Sequence, residues 1–108
     1  FGGVAFKGQR PVKDLRRAVE LATPFVDVIT TSGSATGVAP DVEKLRVIKE
    51  AAGDHPVANA SGMTPANVRP FMPHCNAFLV STGISKSFYE LDPRGVRSFR
   101  KELDRKEM

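Results

Sequence analysis

Four short apolar runs alternate with four stretches of helical periodicity along the chain, and this alternation constrains the fold more than any other feature. Each apolar run has the length of a strand, and each following stretch repeats apolar residues every three or four positions. Two parallel strands need a crossover between them, which is usually a helix. The order therefore predicts four βα units with parallel strands, in one α/β domain that spans residues 1–108.

Turn and capping residues set the boundaries of these units. Asp41, Thr64 and Asp92 are expected helix N-caps, and a proline follows the last two at the first helical position. Segments 31–40 and 81–91 are long loops, since a strand-to-helix connection usually takes ~2–6 residues. The predicted strands are 2–7, 25–30, 57–60 and 77–80, and the predicted helices start near Pro11, Asp41, Thr64 and Asp92.

Composition narrows the classes of protein and partner. The chain has 41% apolar and 26% charged residues and no apolar run as long as the ~18 residues of a membrane span. Its 16 Lys and Arg exceed its 12 Asp and Glu, but the basic last helix lacks the interleaved aromatics of a nucleic-acid groove and is expected to be a solvated face. A single cysteine, Cys75, forms no internal disulfide, which favours a reducing cytoplasm.

Two clusters of glycines and hydroxyls follow consecutive strands. The first, 60–65, reads Ala-Ser-Gly-Met-Thr-Pro, and the second, 81–85, reads Ser-Thr-Gly-Ile-Ser. A glycine-containing strand-to-helix turn binds phosphate well, because the first helical turn leaves backbone N–H groups unpaired. A plain helix N-cap explains the first cluster equally simply. The predicted phosphate-binding residues are Ser61, Gly62, Met63, Thr64, Thr82, Gly83 and Ser85.

Several motifs together resemble the C-terminal half of the BtpA family. They are the segment 27–37 with the helix start at 40–48, the segment 60–68 and the segment 78–83. The resemblance implies a TIM barrel similar to those of phosphoribosylanthranilate isomerase and the tryptophan synthase alpha chain. The family is named after a factor needed for photosystem I accumulation, and its biochemical activity is poorly defined.

A family barrel has four βα units ahead of the stretch that matches this chain. The resemblance therefore implies that the strands here correspond to strands five to eight, and that the two glycine-hydroxyl turns are the seventh and eighth strand loops, where (β/α)8 barrels usually bind phosphate. From the residues alone, an open doubly wound sheet stays possible beside a half-barrel. A half-barrel exposes strand edges, so we expect two copies to pair and complete a barrel.

Barrel sites lie at the carboxyl ends of strands, which selects further candidates. Lys7, Asp41 and Asn59 are candidate catalytic residues, although Lys7 also reads as a solvated lysine and Asp41 as a helix cap. The candidate ligand-binding loop consists of Thr30, Thr31, Ser32 and Gly33, and Gly33, like Gly37 further along the chain, also reads as a simple turn residue.

No metal or cofactor site is expected. His55, His74 and Cys75 precede strands, so they belong to the opposite end of a barrel. Hydroxyls, amides and glycines dominate the functional end, and these groups bind an oxyanion better than they transfer protons.

Three functions remain open at this point. The first is a binding or assembly-supporting protein for a phosphate-bearing small molecule. The second is an enzyme that acts on a phosphorylated sugar or nucleoside, and the third is a truncated half-barrel without activity.

Overall fold

A computed structural model describes residues 1–87 and 90–105, and its centre is a four-stranded parallel sheet. The strands lie side by side in chain order, and every neighbouring pair is parallel. This confirms the predicted α/β class. The sheet consists of β1 (Gly2–Gly3), β2 (Ile29–Thr31), β3 (Val57–Asn59) and β4 (Ala77–Phe78), and the helices are α1 (Leu15–Ala22), α2 (Val42–Ala52) and α3 (Pro93–Asp104).

The strands are shorter than predicted, most of all β1. Gly2 and Gly3 are in register with Ile29 and Thr30 of β2, and the Val4 N–H adds one hydrogen bond to the Thr30 carbonyl, whereas the sequence predicted a strand over 2–7. Ala5 has a φ of 51°, in the left-handed region that a strand cannot contain. The chain therefore turns away from the sheet soon after β1, and Lys7 belongs to the loop that follows rather than to the strand end.

The first two helices begin at aspartates. The Asp14 carboxylate accepts a hydrogen bond from the Arg17 N–H at 3.1 Å, so α1 starts after Asp14 and not near Pro11 as predicted. Asp41 occupies the N-cap position of α2, but its carboxylate makes no capping hydrogen bond. Gly53 ends α2 with a φ of 61°, a backbone conformation that favours glycine.

The third predicted helix is the clearest error in the sequence-based interpretation. A 3₁₀ helix over Arg69–His74 replaces the α-helix expected from Pro65. Pro70 and Pro73 lack the N–H groups that an α-helix needs, so a regular helix cannot run through this segment.

The last unit differs from the sequence-based interpretation in its loop. Asp92 caps α3 by accepting from the Arg94 N–H at 3.0 Å, and Pro93 is the first helical residue, as predicted. Within the expected loop 81–91 the structure has a 3₁₀ helix (Thr82–Ile84) and the antiparallel strands β5 (Ser85–Ser87) and β6 (Glu90–Leu91). Residues 88 and 89 of that loop lie outside the described part of the chain.

The main core lies between the sheet and the helices. Ile29, Val57, Leu45 and Ile48 are fully buried there. The Phe78 ring meets the Phe99 ring of α3 edge-on, with centroids 6.5 Å apart. Since side chains alternate along a strand, residues one position away point to the other face of the sheet.

That other face of the sheet is partly open. Thr30 and Leu79 line a cavity of about 280 Å³ on it, together with Phe1, Gly3, Phe6 and Gln9. Leu79 is 44% exposed and Phe1 is 72% exposed. Apolar side chains on this face, which would be the inner face of a closed barrel, are thus left in contact with solvent.

The thiol of Cys75 is half-buried. Burial raises its pKa to about 12, so this cysteine is a weak nucleophile at neutral pH.

Among the described residues, no helix is both long and apolar enough to cross a membrane.

Candidate functional site

The loops that follow the four strands all lie at the carboxyl end of the sheet, because parallel strands all end on the same side. Two clefts open at this end of the sheet. We call them the serine cleft and the lysine cleft. The serine cleft is about 600 Å³ and is lined by Thr36, Gly37, Ala60, Ser61, Gly62, Met63, Leu79, Val80, Ser81, Ser85, Lys86 and Ser87. The lysine cleft is about 460 Å³ and is lined by Ala5, Phe6, Lys7, Gly8, Gln9, Gly33, Ser34, Ala39, Pro40, Asp41 and Lys44.

The serine cleft brings together the two glycine-hydroxyl turns identified in the sequence. Gly83 packs so closely against the first turn that a Cβ added to it would lie 1.9 Å from the Met63 carbonyl oxygen. Within the second turn, the Ser85 hydroxyl donates to the Ser81 carbonyl at 2.6 Å. The Thr82 side chain lies outside the described part of the structure. Tight backbone packing thus makes the two turns one surface.

Ser61 connects the first turn to the loop after β2. Its hydroxyl accepts a hydrogen bond from the Gly33 N–H at 2.7 Å and donates to the Val38 carbonyl at 2.8 Å. The side chain is only 6% exposed. Its single proton is therefore already used within the protein and is not available to donate to a ligand.

Gly62 brings the backbone of the first turn against the same loop. Its φ is 71°, and an added Cβ would lie 2.1 Å from the Ala39 nitrogen. Within the described residues, the N–H groups of Gly62 and Met63 donate no hydrogen bond. Two backbone donors are thus left at the wall of the serine cleft.

A reciprocal pair of hydrogen bonds fixes the end of the first turn. The Thr64 N–H donates to the Asn67 side-chain oxygen at 2.8 Å, and the Asn67 N–H donates to the Thr64 hydroxyl at 3.2 Å. The Asn67 amide also donates to the Gly62 carbonyl at 2.8 Å. The sequence-based prediction missed Asn67, although a capping threonine followed three residues later by a polar side chain is the spacing of a capping box.

The hydroxyls of the predicted ligand loop point into the protein. The Ser32 hydroxyl accepts from the Lys7 N–H at 2.8 Å and donates to the Gly33 carbonyl at 2.9 Å. The Thr31 hydroxyl lies 3.4 Å from the Ala5 carbonyl, and that of Thr30 lies 3.3 Å from the Val28 carbonyl. These side chains hold the loop in place, and only Gly33 of the four lines a cleft.

Asn59 is the last residue of β3 and lines neither cleft. It is fully buried, and its amide nitrogen donates to the Ser61 carbonyl at 2.9 Å. Its side-chain oxygen has no hydrogen-bond partner within the described residues. In this structure Asn59 positions the first turn through its hydrogen bond to the Ser61 carbonyl.

The lysine cleft contains the other two candidate catalytic residues, Lys7 and Asp41. The Lys7 ammonium donates to the Thr36 hydroxyl at 2.5 Å. Asp41 is exposed and forms no ion pair within the described residues. The structure thus places Lys7 and Asp41 in one cleft, apart from Asn59.

Lys44 is the residue of this cleft that the sequence-based prediction missed. It lies in the first turn of α2, and its ammonium donates to the Ala5 carbonyl at 2.8 Å and to the Ser32 carbonyl at 2.6 Å. Burial lowers the pKa of its amine. No local motif marks this lysine, because both of its partners belong to other segments of the chain.

The opposite end of the sheet holds the histidines. His55 Nε2 lies 2.6 Å from the Val26 carbonyl oxygen, in the segments that precede β3 and β2. Among the described residues, no group of three or more His, Cys, Asp or Glu side chains is arranged to hold a metal ion.

Comparison with known proteins assigns the family. The model of the BtpA family matches residues 6–105, which is most of the chain. The chain belongs to the BtpA family. This is a TIM-barrel family, in agreement with the parallel α/β architecture. Searches of curated proteins and of solved structures give no significant match.

The two clefts lie where members of a TIM-barrel family are expected to carry their sites. Both open at the carboxyl ends of parallel strands, the end at which TIM-barrel proteins carry their sites. The family match by itself names no ligand, so the chemistry must come from the geometry of these clefts.

Replacing Gly62 with alanine tests the close approach of the two loops. We expect Gly62→Ala to lower the free energy of unfolding by about 3 kcal/mol, since its Cβ would overlap the Ala39 backbone. Gly8→Ala is the matched control, because Gly8 has a similar φ of 82° but no atom near its added Cβ. It should cost only about 1 kcal/mol. Urea unfolding followed by circular dichroism measures both, and equal losses would contradict the assigned packing.

Replacing Ser61 with alanine tests the hydroxyl bridge. Ser61→Ala leaves the buried Gly33 N–H and Val38 carbonyl without a partner, which should cost about 2 kcal/mol of unfolding free energy. Ser85→Ala removes an exposed hydrogen bond and should cost less than about 1 kcal/mol. A Ser61→Ala protein as stable as Ser85→Ala in the same urea titration would show that the bridge contributes little.

Proposed function

We propose that this BtpA-family protein binds a phosphate-bearing small molecule in the serine cleft. The observation that carries the proposal is the convergence of the two glycine-hydroxyl turns on one cleft, at whose wall the Gly62 and Met63 N–H groups have no hydrogen-bond partner among the described residues. Backbone N–H groups and hydroxyls are the donors that phosphate oxygens accept from.

The charge of the serine cleft supports an anion. Lys86 lines it, and its only ion pair within the described residues is with Glu90, at 3.4 Å. Both side chains are more than half exposed, so this pair is weak and its lysine is readily recruited by a ligand. Ser81 and Ser87 add hydroxyls around the same opening.

A binding or assembly-supporting role fits the serine cleft better than catalysis does. Lys86 is the titratable side chain among its lining residues, and the others are hydroxyl, glycine and apolar residues, which bind an oxyanion better than they transfer protons. The single cysteine and its half-buried thiol support a reducing cytoplasm as the site of action.

One observation favours the enzyme alternative, an activity on a phosphorylated sugar or nucleoside. Lys7 and Asp41, a cation and a carboxylate, line the lysine cleft, which neighbours the serine cleft. A cation can orient an anionic substrate, and a carboxylate can accept a proton from it.

An NMR titration of ¹⁵N-labelled protein tests phosphate binding. Ribose 5-phosphate should shift the Gly62 and Met63 amide signals saturably, and ribose should not. Lys86→Met should raise the dissociation constant by about fivefold, because a charge-assisted hydrogen bond is lost. Lys13→Met is the matched control, since Lys13 is exposed and lines neither cleft.

Saturable shifts confined to other amides, or equal shifts with ribose, would contradict this site. New sugar-phosphate signals in the same samples over time would favour the enzyme alternative over the binding protein.

We also propose that the four units form one half-barrel domain and that two copies complete an eight-stranded barrel. β1 and β4 are both open edges of a parallel sheet, so β4 of each copy can pair with β1 of the other around a twofold axis. The exposed Leu79 and Phe1 on the inner face would then enter a shared core.

The edge of β1 is partly covered in the single chain. The Gln9 side chain donates to the Gly3 carbonyl at 3.1 Å and accepts from the Phe6 N–H at 2.9 Å. Successive strand residues point to alternate sides, and Gly2 and Val4 bond to β2, so the Gly3 carbonyl faces the open edge. A second copy would have to displace Gln9 from this position.

Sedimentation velocity at micromolar concentration tests the pairing. We expect twice the 11.7 kDa mass of one chain. Leu79→Glu should return the protein to a monomer, because it places a charge in the shared core. Leu21→Glu is the control, since Leu21 is exposed on α1 and faces away from the strands. A compact 11.7 kDa wild-type monomer would overturn the pairing.

A further inference from the structure

The lysine cleft is separate from the serine cleft and has no role in the phosphate binding proposed above. The segment after β2 divides them: Thr36 and Gly37 line the serine cleft, whereas Gly33, Ser34, Ala39 and Pro40 line the lysine cleft. Two lysines converge in the second cleft from different parts of the chain, Lys7 from the loop after β1 and Lys44 from α2.

One N–H donor of the Lys44 ammonium makes no hydrogen bond within the described residues. An ammonium group has three N–H donors, and two of them reach the Ala5 and Ser32 carbonyls. These two bonds join the loop after β1 to the loop after β2, so the nitrogen is fixed in space before any ligand binds. A cation that is already fixed loses little side-chain entropy when it binds an anion.

The charges of the cleft select the class of anion. Lys7 and Lys44 are positive and Asp41 is negative, which leaves one net positive charge. A carboxylate carries a single negative charge, whereas a phosphate monoester carries close to two at neutral pH. The balance of charge therefore favours a carboxylate.

Asp41 adds a requirement for a hydrogen-bond donor. Its carboxylate makes no capping hydrogen bond to α2 and no ion pair within the described residues, yet it lines the cleft. Its oxygens can accept a hydrogen bond from a ligand hydroxyl, and they repel a second carboxylate. Phe6 and Pro40 give the same cleft an apolar wall that suits a short carbon chain.

We propose that the lysine cleft binds a small hydroxycarboxylate, with its carboxylate on the Lys44 and Lys7 ammonium groups and its hydroxyl on Asp41. Lys7 reaches the ligand with the donors that its bond to Thr36 leaves free. Lys44 supplies the fixed charge, and Asp41 distinguishes a hydroxycarboxylate from a simple carboxylate.

The experiment is an NMR titration of the ¹⁵N-labelled full chain with glycolate, acetate and inorganic phosphate at constant ionic strength. Glycolate should shift the amides around Ala5, Asp41 and Lys44 saturably, and acetate should bind more weakly to the same amides. Lys7→Met should raise the dissociation constant for glycolate by about fivefold. Lys86→Met, in the serine cleft, should leave it unchanged, which separates this proposal from phosphate binding.

Lys44→Met should abolish glycolate binding, with Lys49→Met as the matched control. Lys49 lies on the same helix and also donates two hydrogen bonds, to the His55 carbonyl and the Asn76 side chain, at a distance from the cleft. Should Lys44→Met fail to fold, the Lys7→Met result stands on its own. Asp41→Ala should remove the preference for glycolate over acetate.

Three outcomes would overturn the proposal. The first is the absence of saturable shifts around Ala5 and Lys44 with glycolate. The second is unchanged glycolate affinity in Lys7→Met, and the third is an equal response of these amides to inorganic phosphate.

Discussion

The two hydrogen bonds of the Ser61 hydroxyl are the interactions on which the rest of this site depends. They join the end of β3 to both ends of the loop after β2, through the Gly33 N–H and the Val38 carbonyl. Because the hydroxyl is buried and both of its bonds run to the backbone, it fixes the base of that loop whatever side chains the loop carries. The tip, with Thr36 and Gly37, is left to form a wall of the serine cleft.

Small residues make this arrangement possible. Gly62 and Gly83 each lie against backbone atoms of a neighbouring loop, where a side chain has no room. The close contacts bring three successive strand-end loops into one layer. Two neighbouring clefts with different chemistry result. One has hydroxyls and two backbone N–H groups that make no hydrogen bond within the described part of the chain, and the other has a fixed ammonium group.

Much of the fold could be predicted from the sequence, because local patterns carry it. The alternation of apolar runs with helical periodicity predicts a parallel sheet, and Asp92 with Pro93 predicts the start of α3. The third helix was predicted wrongly from its apolar spacing, although Pro70 and Pro73 in the same segment argue against an α-helix. Strand lengths were overestimated, since pairing ends where Ala5 turns the chain away from β2.

The sequence by itself determined the order of the βα units, their likeness to the BtpA family and the end of the sheet at which the polar loops lie, since each follows from residues close together in the chain. Only the tertiary structure decided which of those polar groups are free. The hydroxyls of Ser61 and Ser32 donate their protons to carbonyl groups of the protein itself. The Lys44 ammonium is held at the lysine cleft by hydrogen bonds to residues 12 and 39 positions away in the chain. Hydrogen bonds between distant segments depend on how the chain packs, and no local pattern records them.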